Sequence, residues 1–111
     1  MKQYCLTLDL KNDAQAIASY DEYHRNVWPE IKKSLGDSGI ASMQIYRAAN
    51  RLFMIIQVTD DFSFERKSKL DNANPKVQEW EKLMSDYQQR LPFAKPEEKW
   101  VVMERVFLYE K

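Results

Sequence analysis

Leu52-Phe-Met-Ile-Ile-Gln-Val58 is almost wholly apolar and too short for a core helix, so it reads as the central strand of a sheet, covered on both faces. Just before it, Ser42 to Arg47 sets Met43 and Ile45 against Gln44 and Tyr46, the alternation of a strand with one face buried. The link Ala48-Ala-Asn-Arg51 is short enough for a hairpin, and Asn50 is its residue most tolerant of a positive φ. Toward the N-terminus, Gln3 to Leu10 places Tyr4, Leu6, Leu8 and Leu10 on one face, with Cys5, Thr7 and Asp9 on the other. Toward the C-terminus, Trp100 to Tyr109 reads as a last strand, with Val101 and Met103 against Val102 and Glu104.

Helical spacing fills the gaps. Lys11-Asn-Asp13 supplies a turn and a cap for a helix beginning near Ala14. Pro29 interrupts that helix, and Asn26 is placed to cap a second segment running to Leu35. Gly36-Asp-Ser-Gly39 ends it with a left-handed cap. Asp60 to Asp71 is a charged short helix with Phe62 and Phe64 turned inward. Asn74-Pro75 then caps a helix whose Val77, Trp80, Leu83 or Met84, Tyr87 and Leu91 share one face. The order β-α-β-β-α-β, with one extra short helix, predicts a ferredoxin-like α+β sandwich as a single domain over residues 1–111.

Composition narrows the function classes. Seventeen acidic residues balance seventeen basic ones, which speaks against a nucleic-acid partner. The single Cys5 allows no internal disulfide and no cysteine-based metal cluster, and no apolar run approaches membrane-spanning length. Met1-Lys-Gln-Tyr4 runs straight into a strand pattern, so no signal peptide is expected, and a reducing cytoplasm is the expected compartment. Three Trp, six Tyr and five Phe are many for 111 residues; such rings line sugar pockets but also fill cores and dimer interfaces.

With only Gly36 and Gly39, the chain has no glycine-rich phosphate loop, and one histidine is too few for a histidine-built metal site. What remains is acid-base chemistry at His24. Tyr20 and His24 stand one helical turn apart, on a face shared with Ile17, Val27, Ile31 and Leu35, and Trp28 follows closely. A half-buried imidazole can both give and take a proton near neutral pH, helped by a carboxylate such as Asp21 or Glu22. A satisfied core histidine is the plainer alternative, as core packing is for Trp28 and Trp80 and a solvated hairpin for Tyr46 and Arg47.

Tyr20-x-x-x-His24-x-x-x-Trp28-Pro-Glu30, with Ile45-Tyr46, Asn50-Arg-Leu-Phe53, Val77-Gln-Glu-Trp80-Glu-Lys-Leu-Met84 and Glu104-Arg-Val-Phe107, resembles the L-rhamnose mutarotase family over nearly the whole length. The resemblance implies a dimeric α+β barrel, a homodimer formed through the sheets. It implies interconversion of the α and β anomers of a 6-deoxy-L-hexose without a cofactor. It also implies His24 as proton donor, Tyr20 as a substrate contact and Trp80 in the sugar pocket, with Trp28 and Tyr46 as further candidate substrate-binding residues. Met43 stands where the family often has tyrosine, and Glu81 where it has a second tryptophan. The stretch from Asn74 to Glu81, with Glu98-Lys-Trp100, looks more like members associated with L-fucose. Two other classes stay open: a monooxygenase on the same barrel, and a non-catalytic sugar-binding or dimerisation module.

Overall fold

A computed structural model describes all 111 residues. The chain runs β1 (Lys2–Leu10), α1 (Ala14–Arg25), α2 (Pro29–Asp37), β2 (Ile40–Ala48), β3 (Arg51–Val58), α3 (Phe64–Asn72), α4 (Pro75–Ser85), β4 (Gln88–Gln89) and β5 (Val101–Val102). The strands form one antiparallel sheet in the order β2-β3-β1-β4, and β5 extends the β4 edge by pairing with β1. Two inner strands flanked by two outer ones, with the helices gathered on one face, make the ferredoxin-like α+β fold.

Local chemistry sets the boundaries. Asp13 caps α1, its carboxylate accepting from the Ala16 N–H at 3.1 Å. Asn74 caps α4, its Oδ1 accepting from Lys76 N at 3.0 Å and Val77 N at 3.4 Å, while Pro75 occupies the first turn, where no N–H is required. Gly39 at φ +97° makes the turn from α2 into β2, and a Cβ there would lie 2.9 Å from Thr59 Oγ1.

The core lies between the sheet and the helices in two neighbouring groups. Leu10 and Leu52 meet Tyr20, Ile31, Val77, Trp80 and Met84 at one end. Leu6, Met54, Ile56 and Val58 meet Ile40 and Phe62 at the other.

Five sequence expectations are corrected. β3 shares the centre with β1, and the chain covers only one of its faces: Leu52, Met54, Ile56 and Val58 are buried, whereas Phe53 and Ile55 on the helix-free face are only half-buried. In the hairpin the positive φ falls on Ala49 (52°), while Asn50 ties to β1 through bonds between its Nδ2 and the Leu10 carbonyl and between its own carbonyl and Leu10 N. Asn26 closes α1 rather than opening α2; Trp28 holds the capping position with no side-chain bond, since its indole has no acceptor. The charged helix starts at Phe64, four residues later than its pattern suggests, because Ser63 caps it by accepting from Arg66 N at 3.0 Å. Phe62 is buried before that helix and Phe64 is partly exposed, resting against Tyr4.

The last strand is short. Only Val101 and Val102 pair as strand, and Met103 N adds one bond to the Cys5 carbonyl at 2.7 Å. Beyond that, Val106 and Phe107 are 93% and 77% exposed. Likewise α4 stops at Ser85, and Tyr87 and Leu91 reach the core from beyond its end.

Candidate active site

Helix α1 carries Tyr20 and His24 over the sheet, one turn apart, with rings stacked at a centroid distance of 4.2 Å. Tyr20 is buried and His24 is half-buried. From α4, Trp80 meets His24 edge-on at 5.6 Å, and Trp28 packs edge-on behind Trp80 at 5.0 Å. Imidazole, phenol and indole thus form one continuous aromatic wall.

That wall borders a cavity of about 560 Å³ between the sheet and the four helices. Tyr20, His24 and Trp80 line it, opposite Ile45 and Met54 of the sheet, and Trp100 borders it as well. Its size lies in the range of small-molecule sites. A smaller hollow of about 240 Å³ lies beside His24, bordered by Asp21, Arg25 and Arg47.

The histidine is oriented by backbone. Its Nδ1 lies 2.8 Å from the Tyr20 carbonyl oxygen. A carbonyl can only accept, so Nδ1 carries the hydrogen, and in the neutral ring Nε2 holds a free lone pair. Burial pushes the imidazole below its ordinary pKa; the Tyr20 carbonyl and the Asp21 charge oppose this more weakly. The ring is therefore neutral at pH 7, with Nε2 free to accept a proton.

Tyr20 behaves differently. Burial drives its hydroxyl well above the usual range, the nearby Gln88 carboxamide opposes this, and the Glu81 and Asp21 charges add to the rise. Its phenol stays protonated at neutral pH. Asp21 does not touch the ring of His24: its carboxylate grips Arg47 through two bonds, at 3.0 and 2.6 Å. Arg47 spends its remaining fork nitrogen on the Ala49 carbonyl at 2.8 Å. Glu22 pairs with Arg25 on the surface.

Of the residues singled out from sequence, His24, Tyr20 and Trp80 meet at the cavity, and Trp28 supports Trp80 from behind. Tyr46 is elsewhere: it pairs with Phe53 on the helix-free face, is 56% exposed, and reaches only Gln44. Sequence reading missed Gln88 in the cavity wall. A helical face drawn through Tyr87 to Leu91 concealed the short strand that presents it. It also gave no site role to Lys99, which borders the cavity while bonding Glu81 at 3.1 Å and Ser85 at 2.9 Å.

The model of the L-rhamnose mutarotase family matches residues 3–109. An L-fucose mutarotase of Xanthomonas campestris pv. campestris is 41% identical, over 96% of this chain and 87% of its own. An L-rhamnose mutarotase of Phocaeicola vulgatus is 34% identical, over 69% of this chain and 72% of its own. Among solved structures, an L-rhamnose mutarotase from Formosa agariphila superposes with a TM-score of 0.71 at 26% identity, covering 99% of this chain and all of that one. With the family model spanning all but the chain ends, this protein belongs to the L-rhamnose mutarotase family.

Proposed function

We propose that this protein is a mutarotase interconverting the α and β anomers of a 6-deoxy-L-hexose, with His24 moving the proton. The observation that carries this reading is an imidazole fixed through Nδ1, with its Nε2 lone pair unspent, in the wall of a sugar-sized cavity. The reaction asks for little more. Nε2 takes the proton of the anomeric hydroxyl, the bond from C1 to the ring oxygen breaks, and the imidazolium returns a proton to that oxygen. Both oxygens are bonded to the same carbon, so one titrating group can serve each in turn. Rotation of the freed aldehyde carbon and the reverse steps give the other anomer. General acid-base assistance of this kind contributes about 10²–10⁴-fold, and no cofactor takes part.

Tyr20 donates to a sugar oxygen, and Trp80 gives a flat face to the methyl and C–H side of the ring, held in place by Trp28. This assigns His24 the acceptor role at the start of the cycle and the donor role only after ring opening. L-Fucose and L-rhamnose are the candidate substrates. The 41% identity to an L-fucose mutarotase, over nearly the full chain, favours the former. The test is anomer exchange measured by NMR saturation transfer on purified protein with a panel of 6-deoxyhexoses. Acceleration of L-fucose, L-rhamnose or both supports the proposal; saturable binding with no acceleration would leave a sugar-binding module.

The proposal includes a homodimer through the helix-free face of the sheet. Phe53, Ile55 and Val101 lie half-buried on that face, together with the exposed Tyr46. A second copy would cover them, and would complete the double burial that the Leu52–Val58 run asks for. The lone free thiol of Cys5, on the same face, suits a reducing cytoplasm.

A further inference from the structure

Gln88 stands where hydrophobic burial alone would not put it. β4 pairs with β1 at Leu10↔Gln88, so the carboxamide shares the helix-covered face with the fully buried Leu10. There it lines the large cavity together with Tyr20, His24 and Trp80. One end of the side chain lies near the Tyr20 hydroxyl and opposes the rise of its pKa. The other end, Oε1, is closed off from solvent and has no hydrogen-bond partner. Buried polar atoms without a partner are uncommon, because the hydration they lose is not returned. Two neighbouring polar groups at the cavity are satisfied within the protein: Lys99 holds Glu81 and Ser85, and the Tyr20 carbonyl holds His24.

We propose that Gln88 is a substrate-binding and specificity residue: its carboxamide turns into the cavity when sugar binds, and Oε1 then accepts a hydrogen bond from a hydroxyl of the bound 6-deoxyhexose. This rests on the mutarotase reading and extends it to the choice of sugar. Epimers present their hydroxyls in different directions, and the wrong one leaves Oε1 unpaired in the closed site. Sites built around such a bond discriminate strongly against ligands that cannot make it.

Gln88→Met keeps the length of the side chain and removes both polar ends. Exchange of L-fucose and L-rhamnose is measured for the unaltered protein and for this variant. The expected result is a rise in KM of about tenfold for the preferred sugar and a smaller preference between the two. Thermal stability should be unchanged or higher, since an unpaired buried atom has gone. A second measurement does not depend on the variant: titrating ¹⁵N-labelled unaltered protein with L-fucose should shift the side-chain NH₂ resonances of Gln88. Unchanged KM and preference in a folded Gln88→Met, or Gln88 resonances that stay still as L-fucose saturates the protein, overturn the proposal. Failure of the unaltered protein to speed exchange of either sugar counts against the mutarotase reading instead, and the titration then decides the role of Gln88 by itself.

Discussion

At the scale of the residue, a single hydrogen bond decides what His24 can do. Because Nδ1 is bound to the Tyr20 carbonyl, only Nε2 is available for chemistry, and burial keeps the neutral form in place through pH 7. Protonation in the free enzyme removes the acceptor. The rate kcat/KM should therefore fall about tenfold per pH unit on the acid side, with a midpoint below the ordinary imidazole value of about 6.5. Above that midpoint it should be flat through about pH 9, since burial holds the Tyr20 hydroxyl protonated there. A pH-rate profile of anomer exchange checks this, and a midpoint above 6.5 or an alkaline fall near pH 8 would contradict it. His24 was legible in the sequence as the one imidazole on an apolar helical face, with Tyr20 a turn away. Gln88 was not, because periodicity reports which face a residue occupies and says nothing about whether a polar atom there is satisfied.

At the scale of the element, caps and turns fix where the site residues stand. Asn74 begins the helix that carries Trp80, and Asn74→Ala should lower stability by about 1 kcal/mol, read as a reduced denaturation midpoint with unchanged slope. Gly39→Ala should cost about 1–3 kcal/mol, because φ +97° disfavours a side chain and the added Cβ would press on Thr59 Oγ1. A change within a few tenths of a kcal/mol at either position would contradict these assignments. The same local chemistry explains why the long elements were readable. Asp13, Asn74 and the apolar run of β3 announce themselves through residue type alone. Two of the pieces that sequence reading misplaced depend on distant partners. β4 is two residues held by β1, and Val106 to Tyr109 has strand-like composition but no neighbouring strand in this chain.

At the scale of the whole molecule, the proposed homodimer would cover the helix-free face of the sheet and the exposed apolar tail. Sedimentation should give about twice 13.3 kDa at micromolar concentration, whereas a monomer at tens of micromolar would contradict the pairing. Substituting Phe53 by Asp on the helix-free face should shift the population toward monomer, without disturbing residues of the opposite face. Dimer or monomer, the fold brings imidazole, phenol and indole from two helices to the wall of one cavity, and the catalytic claim concerns that wall. The measurement that addresses it most directly is NMR saturation transfer between the anomers of L-fucose and of L-rhamnose at pH 7, with unaltered protein and with His24→Ala. The account predicts accelerated exchange of at least one sugar by the unaltered protein and a loss of about 10²–10⁴-fold in a folded His24→Ala. Equal exchange rates in the two proteins would contradict it.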